Sequence, residues 1–177
     1  MEIIDKISSK IRDIKDFPKP DIIFKDITPL LADAELCRET VKSLAAPFSE
    51  SPPQAVAGIE SRGFIFGMLL AQHFNVPFVP IRKAGKLPFN KISHSYTLEY
   101  GEATIEIHTD AIEPGWKVLV HDDLLATGGT AKAAATLIER IQGDILGYSF
   151  LVELSSLAGR DELGKFHNNV HSLITFE

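Results

Sequence analysis

Residues 117–135 leave this chain few ways to fold. They open with Val118, Leu119 and Val120, a short apolar run suited to a buried parallel strand. Two adjacent carboxylates, Asp122 and Asp123, follow. Successive strand residues point to opposite faces, so a strand running through both would bury one charge. The strand is therefore expected to end near His121, leaving both carboxylates free to reach one polar ligand. His121 itself reads as packed on the strand's flank rather than catalytic. Ala126, Thr127, Gly128, Gly129 and Thr130 then set two hydroxyls around two glycines, ahead of an Ala-rich helical stretch. Glycines let backbone N–H groups close around an anion, and a helix start turns its positive end to the same place. The dipole contributes only about 0.3–1 kcal/mol at an exposed site, so converging N–H and hydroxyl donors must supply the rest.

Together these parts fit a sugar phosphate. The carboxylates would accept from vicinal ribose hydroxyls while the Thr127–Thr130 loop cradles a 5′-phosphate. A tight glycine turn, as in any α/β domain, is the plainer alternative; it leaves the paired acids unexplained. The order of hydrophobic strand, two acids, two small apolar residues and Ala126 to Thr130 resembles the phosphoribosyl-pyrophosphate motif of type I phosphoribosyltransferases. His121 departs from it, because such motifs more often carry an aliphatic residue there.

Composition narrows the setting. The 177 residues suit one domain with a substantial core, and 45% apolar with 24% charged residues is ordinary for a globular chain. A net charge of −6 argues against a broad nucleic-acid or anionic-membrane surface, though not against a small anion site. The single cysteine, Cys37, allows no intrachain disulfide and fits a reducing compartment. With no apolar run near 20 residues and no signal-peptide pattern at its start, the chain reads as soluble and cytoplasmic.

Ahead of the central stretch, Ile3, Ile4, Ile7, Ile11 and Ile14 recur at helical spacing, which predicts an amphipathic N-terminal helix. Phe17 to Asp21, with Pro18 and Pro20, breaks it. Residues 22–30 read as a proline-stiffened segment crossing the core, or alternatively as an apolar lid in which Ile23 and Phe24 face a flat heterocycle. A helix is predicted from near Asp33 to Pro47, a core strand over 54–58, and an apolar helix over 65–74. Between the last two, Ser61 and Arg62 make a second anion-friendly helix start, since guanidinium binds phosphate in a bidentate way. Locally, Arg62 pairing with Glu60 fits as well. A third strand is expected over 76–81, followed by Arg82, Lys83 and Lys86. Cations at the C-terminal edge of a strand sit where α/β sheets bind ligands, although a charge run is also an ordinary solvated face.

Tyr96, Leu98 and Tyr100 alternate as in a hairpin arm, with residues 103–107 as the return strand. The hydroxyls and Glu99 in this arm also suit a mobile flap. A turn at Glu113 to Gly115, a helix over 131–142 and strands over 145–154 and 170–176 complete the pattern. His167 and His171 are four apart, but a strand would turn them from each other and no third ligand is evident, so surface or packed histidines are the better reading.

Five segments in this order resemble the adenine phosphoribosyltransferase family: Phe17 to Pro29, Gly58 to Phe64, Arg82 to Pro88, Tyr96 to Gly101, and Asp122 to Thr130. The resemblance runs from Phe17 to about Arg160. It implies an α/β fold of type I: a central, mostly parallel sheet flanked by helices, with an N-terminal hood near residues 15–34 and a flap near 88–103, in one domain of residues 1–177. It further implies a glycosyltransferase of purine salvage, converting adenine and 5-phosphoribosyl 1-pyrophosphate to AMP and pyrophosphate with Mg²⁺ carried mostly by the substrate. A homodimer, in which cations such as Arg82 reach the neighbouring site, follows from the same resemblance. The implied catalytic residues are Glu99, Arg62 and Tyr100. Those for phosphoribosyl pyrophosphate are Asp122, Asp123, Ala126, Thr127, Gly128, Gly129, Thr130, Ser61, Arg62, Arg82, Lys83 and Lys86, and those for adenine are Ile23, Phe24, Lys25 and Leu154. No residue is assigned to hold metal directly. Lys25 stands where the family often has Arg, and Asp21 where a glycine is common. A 6-oxopurine enzyme would want a lysine near residue 154, where Leu154 stands. A non-catalytic regulator would usually add a DNA-binding segment and lose flap residues, whereas Glu99 and Tyr100 remain.

Overall fold

The computed structural model describes residues 2–97 and 101–177. The chain divides into two compact units, residues 1–43 and 44–177.

In the first unit, α1 (Ile3–Ser8) starts with a reciprocal cap between Glu2 and Asp5. The isoleucine periodicity predicts a helix reaching Ile14, and the helix stops well short of that. Lys10 and Ile11 turn back onto the carbonyls of Ile7 and Ser8, and β1 (Arg12–Lys15) follows. Ile14 faces Phe24 across an antiparallel pair with β2 (Ile23–Asp26). β-Branched side chains suit a pleated surface, and here cross-strand partners outweigh helical spacing. Two ion pairs tie the ribbon, Arg12 to Asp26 at 2.6 Å and Lys25 to Asp13 at 2.8 Å. Phe17 meets Phe24 edge-on at 5.2 Å. The expected crossing segment of residues 22–30 is thus a strand, a sharp stop and the short α2 (Thr28–Leu31). Asp26 makes the stop by accepting from the Thr28 amide and hydroxyl. Then α3 (Ala34–Ala45) begins where the Asp33 carboxylate accepts from the Leu36 amide at 3.0 Å. On it, Cys37 Sγ donates to the Leu30 carbonyl.

The second unit is built on seven strands: β3 (Ala55–Ile59), β4 (Phe78–Lys83), β5 (Lys91–Thr97), β6 (Glu102–His108), β7 (Lys117–Leu125), β8 (Asp144–Leu154) and β9 (Val170–Phe176). Their order is β5-β6-β4-β3-β7-β8-β9. The run from β4 through β9 is parallel, and β5–β6 is an antiparallel arm joined to the end of β4. Helices α4 (Gly63–Phe74), α5 (Gly129–Arg140) and α6 (Gly159–Gly164) connect or flank these strands. β3 is buried at every residue, as a central parallel strand must be. Buried Val118, Val120, Tyr148, Phe150, Ala134, Leu137 and Ile138 belong to one core cluster.

From β3 the chain moves one way to β4, and from β7 the other way to β8 and β9. The direction of winding therefore reverses between β3 and β7. In an open parallel sheet, that reversal opens a crevice beyond the strands' carboxyl ends. Ser61 and Arg62 follow β3, and Ala126 to Thr130 follow β7.

Candidate active site

The expected end of β7 near His121 is not observed. The strand runs on to Leu125 because β8 pairs with it as far as Leu125 opposite Glu153. Both carboxylates therefore lie in the strand, and local partners offset only part of the cost of burial. Asp123 is nearly buried and forms an ion pair with Arg62 Nε at 2.9 Å. Asp122 Oδ1 accepts from the Asp123 amide at 2.8 Å. Burial, then the neighbouring Asp123 charge, pushes the Asp122 carboxyl well above its usual range. Burial also raises Asp123, with Arg62 opposing the shift. His121 is fully buried, with Nδ1 3.3 Å from Ser149 Oγ; burial lowers it to about 3, so it is a neutral core histidine.

Arg62 sits at the start of α4, after a cis peptide between Glu60 and Ser61. The following Gly63 is needed for close approach: a Cβ there would lie 2.8 Å from Asp122 Oδ1 and 3.0 Å from the His121 carbonyl. This contact brings the two loops together. The pairing with Glu60 that the sequence allowed for Arg62 is not formed: Arg62 meets Asp123, and Glu60 takes Arg82. Arg82 grips Glu60 through Nε and Nη2 and donates from Nη1 to the Lys86 carbonyl. These hydrogen bonds hold the Glu60 carboxyl below its usual range despite partial burial. Arg82 and Lys83, expected after the third strand, are its last two residues: β4 lies two residues later than 76–81, and its end pairs with β6 at Arg82–Glu106 and Lys83–Ile105. Lys83 and Lys86 are solvent-exposed, as is Ser61. Nearly buried Glu106 shapes the turn by accepting from the Gly85 amide.

The other loop is open. Ala126, Thr127, Gly128, Gly129 and Thr130 line a small concavity with Asp122, Leu124, Leu125, Ala131 and Phe150. Gly128 precedes α5 with φ +84°, and a Cβ there would stand 2.9 Å from the Gly159 carbonyl, so both conformation and space demand glycine. The first amides of α5 have no acceptor within the helix and face outward with its positive end.

Among the adenine candidates, Ile23 is half exposed on β2, Phe24 follows it, and the Lys25 side chain is largely buried in its pair with Asp13. Leu154 closes β8. Beside it, Glu153 is held by an Arg160 fork, and Arg160 also donates to the Val170 carbonyl and Ser172 hydroxyl. Burial would raise the Glu153 carboxyl, but these donors hold it below its usual range. Glu99 and Tyr100 lie outside the described residues. His167 pairs with Glu139 and His171 with Asn169. Among the described residues, no group of three or more His, Cys, Asp or Glu side chains could hold a metal ion.

Sequence reasoning missed the Glu153–Arg160 clamp, the support from Glu106, and a contact of Tyr96 with Thr130 (Oη to Oγ1, 3.0 Å). Each joins residues distant along the chain, although Glu153 and Glu106 stood out as charges inside apolar strand patterns.

Fold and site thus define an α/β protein with an open glycine-rich loop and paired acids at the switch point of its sheet. Residues 29–163 match the phosphoribosyl transferase domain. The chain is 51% identical over 176 residues to an adenine phosphoribosyltransferase of Cytophaga hutchinsonii, covering 99% of this chain and 97% of that one. Among solved structures, it is 50% identical to the enzyme of that name from Rhodothermus marinus, with TM-score 0.93 and 98% of each chain covered. The Saccharomyces cerevisiae enzyme, complexed with adenine and an imino-altritol bisphosphate, is 36% identical, with TM-score 0.90 over 97% of this chain and 98% of that one. The chain belongs to the adenine phosphoribosyltransferase family.

Proposed function

We propose that this protein transfers the phosphoribosyl group of 5-phosphoribosyl 1-pyrophosphate to adenine, releasing AMP and pyrophosphate in purine salvage. The observation that carries the reading is the single concavity in which Asp122 meets the Ala126–Thr130 loop. Identity of about half along nearly the whole chain to proteins named for adenine supports that base.

The bond from the anomeric carbon to pyrophosphate breaks, its electron pair leaving with pyrophosphate. A ring nitrogen of adenine forms the new bond and loses its proton. The intervening charge is oxocarbenium-like, so no protein nucleophile is needed. Ala126, Thr127, Gly128, Gly129 and Thr130 hold the 5′-phosphate, and Asp122 and Asp123 hold the ribose hydroxyls and steady positive charge on the ring. Arg62, released from Asp123, joins Ser61, Lys83 and Lys86 in neutralising the departing pyrophosphate, with Arg82 reaching the neighbouring site. The residues for the base are Ile23, Phe24, Lys25 and Leu154. Glu99 takes its proton, and Tyr100 closes the flap of residues 88–103 against water. Mg²⁺, a hard ion suited to oxygen donors, would ride mainly on the substrate's own oxygens and lower the charge of the leaving group.

The same reading takes residues 1–177 as one domain with its hood near 15–34, in a cytoplasmic homodimer. No described helix is long and apolar enough to cross a membrane. Ile65 and Met68 of α4 are exposed on a helix that is apolar around most of its circumference, which supports a second copy covering it.

The test is turnover of purified protein with Mg²⁺, phosphoribosyl pyrophosphate and each of adenine, hypoxanthine, guanine, xanthine and orotate. AMP and pyrophosphate from adenine alone is the expected result. Turnover of another base would overturn the base assignment. Intact ligand binding without turnover would overturn catalysis itself.

A further inference from the structure

Tyr96 stands near the end of β5, where the hairpin arm approaches the start of α5. Its hydroxyl lies 3.0 Å from Thr130 Oγ1. Its ring lies 3.8 Å from where a Cβ on Gly129 would be, and the Thr97 carbonyl lies 3.9 Å from that point. Tyr96 is half-buried against the core cluster, so its ring has little freedom to leave. Thr130 is also one of the residues lining the concavity with Asp122. Thr130 thus lines the cradle while its hydroxyl meets a tyrosine on the hairpin.

A threonine hydroxyl has one proton and two lone pairs. Between Tyr96 and Thr130 either hydroxyl can be the donor. A phosphomonoester dianion offers only acceptors, so Thr130 must spend its single proton on the anion. The Tyr96 contact then survives only if tyrosine donates. Hydrogen bonds in such a chain polarise one another, so a donating tyrosine makes Thr130 a better donor to the phosphate.

Resting on the assignment of Ala126–Thr130 to the 5′-phosphate, we propose that Tyr96 is a positioning residue that fixes the direction of the Thr130 hydroxyl through a relay from Tyr96 O–H to Thr130 O–H to phosphate. Anion binding sets the polarity of this bond and ties the hairpin arm to the occupied cradle. Tyr96 touches no reacting atom. Its influence passes through Thr130 alone, and that makes it separable from packing.

The experiment measures ribose 5-phosphate binding by calorimetry for the wild type, Thr130→Val, Tyr96→Phe, the double variant and Thr130→Ser. Melting temperatures establish that each is folded. One hydrogen bond of this kind predicts that Thr130→Val weakens binding by about tenfold and Tyr96→Phe by roughly two- to tenfold. The double variant should match Thr130→Val, because tyrosine has nothing to orient once the hydroxyl is gone. Thr130→Ser keeps a hydroxyl and should bind nearly as the wild type does. In turnover, Tyr96→Phe should raise KM for phosphoribosyl pyrophosphate while leaving KM for adenine in place. Equal losses from Tyr96→Phe with and without Thr130 would mean ordinary packing and overturn the relay. So would full affinity in Tyr96→Phe when Thr130→Val is impaired. If Thr130→Val itself binds like the wild type, the assignment of the phosphate loop fails first, and that outcome is distinct from the other two.

Discussion

Two loops in this molecule are built by opposite means. Each follows a central parallel strand and opens a twelve-residue helix, α4 or α5. The loop before α5 contains no charged side chain between Leu124 and Ala131, and it lines an open concavity. The loop before α4 is built from charges and is closed on itself, with Arg62 on Asp123 and Glu60 on Arg82. A cradle of amides and hydroxyls needs no partner within the protein, because water satisfies such groups at little cost. Partly buried ions do, and leaving one unpaired costs several kcal/mol, so they pair with each other until a ligand replaces the partner. A group that must stay through the reaction can be held by backbone, whereas one that must depart with its charge is better met by side chains that have somewhere to return to.

The largest effect should come from breaking the backbone loop. Gly128→Val puts a β-branched residue at φ +84° beside the Gly159 carbonyl, which should cost more than about 2 kcal/mol in urea unfolding and abolish ribose 5-phosphate binding. Retained binding would show that the cradle does not depend on this backbone shape.

Arg62→Ala should lower kcat/KM for phosphoribosyl pyrophosphate by about 10²-fold, the usual effect of losing one donor to developing charge. Its stability cost should be about 3 kcal/mol, the low end for a buried pair, because nearly buried Asp123 loses its partner while Arg62 is partly exposed. Adding Asp123→Asn should restore the urea midpoint but not turnover. Recovery of both would mean that Arg62 serves only its carboxylate partner.

Asp122 tests the cost of keeping acids in a strand. Its folded carboxyl titrates above the usual range, so above about pH 4 the folded state holds a proton that the unfolded state has lost. Stability therefore falls as pH rises through that window. Asp122→Asn should melt about 2–5 °C higher than the wild type at pH 8, with the gap closing towards pH 4, while losing turnover. A gap independent of pH would remove the titration from the account.

The smallest effect should come from Glu60→Gln. Glu60 titrates below its ordinary range, chiefly through its hydrogen bonds from Arg82, so its contribution is present above about pH 4.3 and is lost as pH falls through the folded value. The variant should lose under about 1 kcal/mol at pH 7 and show a flatter acid limb on thermal melting. A midpoint and acid limb unchanged from the wild type would make the Glu60–Arg82 fork energetically idle.

Much of this was readable in the chain itself. Strands β3, β8 and β9 lie within a residue of the apolar runs that predict them, and the Ala126–Thr130 loop is where two glycines and two hydroxyls require a turn. Local pattern failed where a distant partner decided the matter. Burial of charge should have ended β7 at His121, but Arg62, sixty-one residues from Asp123, and the β8 ladder carried it onward. Isoleucine spacing should have extended α1, but Phe24, ten residues from Ile14, drew that segment into a ribbon. Which cation meets which carboxylate was equally hidden, because Arg62 and Arg82 are chemically alike and only the turn of the backbone sorts them between Asp123 and Glu60.

The lone thiol has a practical consequence. Cys37 Sγ is engaged with the Leu30 carbonyl, and burial, with the nearby Asp33 charge, raises its pKa. Alkylating reagents attack the thiolate, so this native sulfur reacts slowly near neutral pH. A cysteine introduced at an exposed position, such as Ser95→Cys on the hairpin arm, would take a maleimide fluorophore in preference to it. The arm could then be watched during turnover by fluorescence in a chain that keeps its own sulfur.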